Sequence, residues 1–194
     1  MTLIIGYGNG EESYIAGDQA GASVGLFVTN LFKQPKVFTL SYRQQVSSDA
    51  YESRKMLIGF TTSFRMGQVL QHHVTLPDKL LNEDANSYLI GKVVPLIRNA
   101  FKEEWSAKSQ DNEVCGGTFI VIVDHRVFTI EDEFSVLEPV TQHYEVGCGQ
   151  FIAHGSMEAF KEANYHITDA ICHTFKIVSK HSLGVSESYD IIKG

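Results

Sequence analysis

Thr2 is the first residue of this sequence whose type and position suggest chemistry. Met1 precedes it, and a small second side chain is the usual context for removal of an initiator methionine, which would leave Thr2 with a free α-amine and a hydroxyl. A threonine hydroxyl attacks poorly unless a base lies beside it, and an N-terminal amine is one recognised base. Its ordinary pKa of about 7.7–8.0 keeps that amine neutral in a good fraction of molecules near pH 7. Thr2 is therefore a candidate nucleophile; the alternative is that it merely begins a strand.

A carboxylate is expected beside Thr2 because of a predicted hairpin. Asn9-Gly10 lies between two short apolar runs. Asn-Gly is a strong hairpin signal, since both central residues of a type I′ turn need positive φ. With Asn9-Gly10 at the centre, Thr2 faces Gly17, and Asp18 follows one position later.

The length of 194 residues suits one domain with a sizeable core or two small ones, and a single domain over residues 1–194 is predicted because no linker divides the sequence. The chain is 43% hydrophobic and 20% charged, enough for a sizeable core. A formal net charge of −7 argues against a nucleic-acid-binding surface and provides no polybasic membrane anchor. No apolar run approaches the roughly 18 residues of a membrane span, and the N-terminus lacks a secretory signal pattern. Widely spaced Cys115, Cys148 and Cys172 read as reduced thiols of a cytoplasmic protein, not as a disulfide set or a zinc site.

The apolar pattern predicts strands, two helices, strands, two helices and a final strand. The polar residues 41–55 read as a long exposed hairpin loop, and 56–61 as a strand buried on both faces. Helical spacing begins near Phe64. Pro95 is expected to break the second helical region, and Thr168 is the expected N-cap of the last helix.

Helices grouped in pairs argue against a parallel βαβ sheet. Two antiparallel sheets stacked face to face, with a helix pair on each outer side, bury the most apolar surface with this order of elements. The predicted fold is therefore α+β, a four-layer αββα sandwich.

Five motifs carry a resemblance to a known family. They are Thr2 behind a cleavable Met, Ala16-Gly17-Asp18, Pro35-Lys36-Val37, the segment 58–63, and Gly147-Cys148-Gly149. In this order and spacing the chain resembles the proteasome β-subunit family of N-terminal nucleophile (Ntn) hydrolases, in particular the compact proteasome-like subunits of bacteria and their phages. The resemblance covers almost the whole chain and implies the Ntn hydrolase fold.

The resemblance also implies roles for individual residues. Thr2 matches the nucleophile, and Asp18 and Lys36 match the buried pair that flanks it. A lysine cation there favours the neutral amine and the alkoxide, and it needs a partner carboxylate to stay charged when buried. The alternative for Lys36 is a solvated lysine at a strand edge. The backbone N–H of Thr62, a position usually occupied by glycine in this family, matches the oxyanion donor.

Further positions match the family with substitutions. Cys148 replaces a serine that helps to hold the amine, and a thiol is the weaker hydrogen-bonding group; the alternative is a buried inert cysteine. In the Asp-x-x-Ser motif near the C-terminus, Ser182 fits the serine and Ser179 replaces the aspartate. A cysteine nucleophile would need a histidine, for which His154 is a candidate only by its place along a helix.

The pocket for the substrate residue that precedes the cut is expected near Gly21, Phe60 and Phe64. For the two phenylalanines, packing in the core is the alternative. No metal or cofactor is expected. His72 and His73 are adjacent on a helix and point apart, so they do not form a metal pair.

The resemblance therefore implies a threonine-type endopeptidase that degrades peptides or unfolded protein inside a homo-oligomeric ring, with a separate ATP-dependent unfoldase as a further partner. Two alternatives stay open. One is a catalytically silent assembly subunit that retains Met1, and the other is an Ntn amidohydrolase that acts on a small amide.

Overall fold

The structure is a computed structural model that describes residues 2–22, 29–104, 108–109, 112–113 and 116–194, so Met1 and Cys115 lie outside the described residues. The strands, β1 to β13, are Leu3–Gly8, Ser13–Asp18, Ala20–Ala22, Thr29–Leu31, Val37–Gln45, Tyr51–Phe60, Lys108–Ser109, Asn112–Glu113, Phe119–Val123, Arg126–Ile130, Val136–Leu137, His143–Gly147 and Tyr189–Lys193. The α-helices, α1 to α5, are Phe64–His73, Ala85–Tyr88, Val94–Glu104, Gln150–Glu162 and Ile167–His181. None of the helices in the described part of the chain is long and apolar enough to cross a membrane.

The first sheet has four antiparallel strands in the order β12-β1-β2-β13. Its outer face is covered by α4 and α5, and the buried contacts there include Leu3 and Ile5 from β1 and Phe175 from α5. The Phe175 and Tyr189 rings stack with their centroids 4.5 Å apart. The two helices therefore bury the apolar outer face of this sheet.

The second sheet has five strands in the order β11-β10-β9-β6-β5. Helices α1 and α3 cover its outer face, with Met66 and Phe101 buried against Ile58 and Phe128 of the strands. The remaining faces of the two sheets meet in a third apolar cluster that includes Ile4. The order of layers is helix, sheet, sheet, helix, which confirms the predicted α+β fold.

The predicted hairpin register is wrong, because the partner of Gly17 lies two positions after the predicted Thr2. Ile4 pairs with Gly17, and the loop holds four residues rather than two. The Asn9 side chain explains the difference, because its oxygen accepts hydrogen bonds from the backbone N–H groups of Glu11 and Glu12 at 3.0 and 2.8 Å. Such an Asx arrangement favours a wider loop over a type I′ turn.

The predicted exposed loop over residues 41–55 is also wrong. Strands β5 and β6 stay paired from Val37 opposite Gly59 to Gln45 opposite Tyr51, which leaves only residues 46–50 as a loop. Because β5 is an edge strand and one face of an antiparallel sheet can meet water, polar residues continue the strands there.

Pro95 does not break the second helical region. A π-helical turn, Leu89–Val93, joins α2 to α3, and Pro95 is the second residue of α3. Proline removes one helical donor and crowds the carbonyl four residues earlier, and the wider π turn accommodates both effects. The N-cap of α5 is His166 rather than Thr168: the His166 side chain accepts a hydrogen bond from the Thr168 N–H at 3.4 Å.

Candidate active site

The carboxylate of Asp18, at the end of β2, accepts hydrogen bonds from several residues near the start of the chain. Its Oδ1 accepts hydrogen bonds from the Thr2 hydroxyl, the Leu3 N–H and the Lys36 ammonium, each at 2.8 Å. Its Oδ2 accepts from the Ala20 N–H at 3.0 Å. Thr2 and Asp18 are both buried. The strand pairing therefore delivers the carboxylate to Thr2 despite the change of register.

Lys36 comes from the opposite sheet, at the position before β5. It is only 4% exposed, and its ammonium donates to the carbonyl of Ala20 as well as to Asp18. Burial lowers the pKa of Lys36 below its ordinary value, and the charge and hydrogen bond of Asp18 act in the opposite direction. Lys36 is thus a buried group paired with a carboxylate, not a solvated lysine at a strand edge.

The turn from residue 147 to 149 holds Thr2 from the other side. Gly147 has φ +111°, and a Cβ at this position would overlap the Thr2 carbonyl oxygen. The Cys148 N–H donates to that oxygen at 2.9 Å, and the Cys148 thiol lies 3.4 Å from it. The main chain of this turn, rather than the thiol alone, fixes the position of Thr2.

Ser182 reaches this turn, and Ser179 does not contact it. The Ser182 hydroxyl donates to the Cys148 carbonyl at 3.4 Å and lies 3.8 Å from the Cys148 sulfur. The Ser179 hydroxyl donates to Lys176 within its own helix at 3.1 Å. His154, the candidate partner of a cysteine nucleophile, is instead hydrogen-bonded to Glu145 at 2.8 Å.

Thr62 occupies a tight turn between β6 and α1. Its φ is +69°, and the Ser63 N–H donates to the Thr61 carbonyl at 2.8 Å, which defines a three-residue γ-turn centred on Thr62. Positive φ is rare for a β-branched residue and favours glycine, in agreement with the glycine usual at this position in the family that the sequence resembles. The Ser63 side chain caps α1 by accepting from the Arg65 N–H at 3.2 Å.

The whole chain is similar to several solved structures. Thiobacillus denitrificans BPH is 14% identical with a TM-score of 0.71, covering 100% of this chain and 97% of that chain, and it has also been solved in complex with epoxomicin. Trypanosoma brucei HslV is 16% identical with a TM-score of 0.62, covering 98% of each chain. Anbu from Hyphomicrobium sp. strain MC1 is 14% identical with a TM-score of 0.66, covering 99% of this chain and 81% of that chain.

The chain has the proteasome β-type Ntn hydrolase fold. No protein-family model and no curated protein matches the sequence. The assignment of the fold therefore rests on the similarity to solved structures.

Four aromatic residues form a cluster beside Gly21: Phe32, Phe38, Phe60 and Phe64. The Phe64 ring lies 5.4 Å from Phe32 and 6.0 Å from Phe60, measured between centroids. Phe60 is buried and also contacts Phe38, whereas Phe32 is 42% exposed and lies directly over Gly21. Phe64 and Phe32 therefore form the accessible part of the cluster. Phe32 was not among the predicted pocket residues; its position four residues before Lys36 was the available signal.

Proposed function

We propose that this chain is a threonine-type endopeptidase of the proteasome-like Ntn class, in which removal of Met1 makes Thr2 the nucleophile. One observation carries the proposal: the Thr2 hydroxyl and the Lys36 ammonium donate to the same oxygen of Asp18. A hydroxyl beside a buried lysine–carboxylate pair lies where a developing alkoxide gains most from a positive charge, because burial weakens screening by solvent.

The reaction follows from these groups. The neutral α-amine of Thr2 takes the hydroxyl proton, directly or through a water molecule, while the oxygen attacks a peptide carbonyl. The backbone N–H of Thr62 is the proposed donor to the resulting oxyanion. Return of the proton to the departing amine leaves an ester on Thr2, and water then hydrolyses it. Lys36 stays charged throughout and favours the neutral amine.

The proposed setting is a homo-oligomeric ring in the cytoplasm. The motifs that resemble proteasome subunits support the ring, as does the shared fold with BPH, HslV and Anbu. Free Cys148 and Cys172 suit a reducing compartment. Substrates would be peptides or unfolded protein, delivered in the latter case by a separate ATP-dependent unfoldase. Gly21, Phe60 and Phe64, with the accessible ring of Phe32, would limit the side chain accepted before the cut.

Intact-mass analysis before and after treatment with an epoxyketone inhibitor tests the proposal. Such a warhead reacts with both the amine and the hydroxyl of one N-terminal residue. We expect loss of Met1 from the mature protein and one adduct, mapped to Thr2. Thr2→Ala should form no adduct and hydrolyse no peptide, with its oligomeric mass unchanged. Peptide hydrolysis retained by Thr2→Ala would end the nucleophile assignment.

A second pair of measurements separates the rival functions. Cys148→Ser keeps the backbone donor to Thr2, so we expect its kcat/KM to stay within about tenfold, whereas loss of a true nucleophile removes several orders of magnitude. Retained Met1 together with no adduct would favour the silent assembly subunit. An adduct on Thr2 with turnover of small amides but not of peptides would favour the amidohydrolase.

A further inference from the structure

A second cluster of ionisable side chains lies outside the candidate active site, between β12 and α4. His143 and Glu145 alternate on β12 and therefore share one face, and His154 and Glu158 lie four residues apart on α4. The side chains of His143 and Glu145 are each 1% exposed, and that of His154 is 51% exposed. The cluster is buried on the strand side and open to solvent on the helix side.

The imidazoles of His143 and His154 converge on the Glu145 carboxylate. His143 Nδ1 lies 2.6 Å from Glu145 Oε1, and His154 Nδ1 lies 2.8 Å from Glu145 Oε2. One ligand atom from each residue lies within 4.8 Å of the others. Two imidazoles and one carboxylate are a ligand set that zinc uses with an open fourth position.

We propose that His143, Glu145 and His154 bind a divalent zinc ion. The metal would replace the hydrogen bonds that now join the two Nδ1 atoms to Glu145, and each imidazole would bind as the neutral ring with its remaining proton on Nε2. Water would be the fourth ligand, and the half-exposed His154 provides the route of entry. This inference is independent of the proposed peptidase activity.

Glu158 supplies the outer support that such a site needs. Its Oε1 lies 2.8 Å from His143 Nε2, on the side of the ring that faces away from Glu145. A ligating histidine usually donates its other N–H to a carboxylate, which fixes the tautomer and the ring orientation. The pair His143–Glu158 therefore already has the arrangement expected of a ligand and its support.

The location gives the site a structural consequence. β12 ends at Gly147, α4 begins at Gln150, and the residues between them form the turn that holds Thr2. A metal bound by Glu145 on one side of this turn and His154 on the other would tie the strand to the helix. No metal was predicted from the sequence, in which the His-x-Glu and His-x₃-Glu spacings were the available signals.

Zinc titration of the chelator-treated protein tests the site. We expect isothermal titration calorimetry and elemental analysis to give one zinc per chain. His154→Ala, a change at a half-exposed position, should weaken affinity by about 100-fold or more, and Glu158→Gln by about tenfold. Zinc should raise the Tm of the wild type but not that of His154→Ala.

The double variant His72→Ala/His73→Ala is the matched control, because it removes two exposed histidines outside the cluster. It should bind zinc as the wild type does. Failure of the wild type to bind one zinc overturns the proposal, and so does binding that survives His154→Ala or is lost in the control. Cobalt substitution gives a second readout, in which the intense visible absorption of a four-coordinate ion should appear in the control and be absent in His154→Ala.

Discussion

At the scale of single residues, Asp18 is the group on which the candidate active site depends. Five donors meet its two oxygens, because the Ser186 N–H also lies 3.4 Å from Oδ2. A neutral amide in its place would offer one acceptor instead of two and would carry no charge. The ammonium of Lys36, buried from solvent, would then lack its counter-ion. Removing one partner of a buried ion pair costs far more than the pair itself contributes.

We therefore expect Asp18→Asn to lower the free energy of unfolding by about 3–5 kcal/mol and to abolish peptide hydrolysis. Urea denaturation and a peptide assay measure the two effects. Glu52→Gln is the matched control, because Glu52 pairs with Arg54 at 2.6 Å with both side chains more than half exposed. That change should cost less than about 1 kcal/mol. Equal losses in the two variants would contradict the central role of Asp18.

How far the site could be predicted depends on the range of the contacts involved. The sequence pattern alone brought Asp18 beside Thr2, and the resemblance to the proteasome family added Lys36. The structure joins Thr2 and Lys36 at the Asp18 carboxylate. Phe32 was missed, because its contact with Gly21 depends on a loop path that spacing does not encode. The catalytic roles themselves stay predictions, as does the pocket role of the aromatic residues.

At the scale of elements, the turn between β12 and α4 positions Thr2 through the main chain. Gly147 combines a φ of +111° with a close approach to the Thr2 carbonyl, so two separate constraints require glycine. Gly10, in the loop between β1 and β2, has a φ of +90° but open space where a Cβ would lie. Both glycines therefore have positive φ, but only Gly147 also has a close neighbour where a Cβ would lie.

The pair Gly147→Ala and Gly10→Ala separates backbone strain from displacement of Thr2. Gly10→Ala should cost about 1 kcal/mol of unfolding free energy and leave kcat/KM unchanged. Gly147→Ala should cost more and lower kcat/KM by about 10²-fold, because a misplacement of about 1 Å at a reacting group has effects of that size. Denaturant unfolding and steady-state kinetics supply the comparison. Similar kinetics for both variants would mean that the turn does not position Thr2.

Element types could be predicted from the sequence better than their ends. Hydrophobic periodicity gave the order of strands and helix pairs, since each element must bury one face. The errors in the predicted element ends arose where a side chain or a neighbouring strand altered the local geometry. The Asn9 side chain favours a wider hairpin loop, and pairing with β6 continues β5 through a polar segment. A π-helical turn before Pro95 allows the helical region to continue beyond it. Local propensity contains none of these tertiary contacts.

At the scale of the whole molecule, the site exists because two sheets meet face to face. Thr2 and Asp18 belong to the first sheet, and Lys36 enters from the second. Gly59, which pairs with Val37 in the second sheet, faces Ile4 of the first. The Phe60 N–H that follows Gly59 donates to the Lys36 carbonyl at 3.1 Å. The separation of the sheets at Gly59 therefore controls the distance between the lysine and its carboxylate.

Gly59→Ala should force the two sheets apart at this point. Its methyl group would lie 2.5 Å from Ile4 Cγ2 and 3.0 Å from Ile15 Cδ1, so we expect a loss of about 1–3 kcal/mol in the free energy of unfolding and a clear fall in kcat/KM. Gly155→Ala, on an exposed face of α4 with open space around it, should instead stabilise the protein by about 0.5–1 kcal/mol.

A double-mutant cycle with Ile4→Ala tests the mechanism of this effect. Ile4→Ala alone leaves a cavity and should cost about 2–5 kcal/mol, and the methyl group introduced by Gly59→Ala would partly fill that cavity in the double variant. The two losses in unfolding free energy should therefore add to more than the loss in the double variant, with a coupling of at least about 0.5 kcal/mol. Because Lys36 and Asp18 would move back toward contact, kcat/KM of the double variant should exceed that of Gly59→Ala. Strictly additive losses would show that Gly59 acts locally and not through the spacing of the sheets.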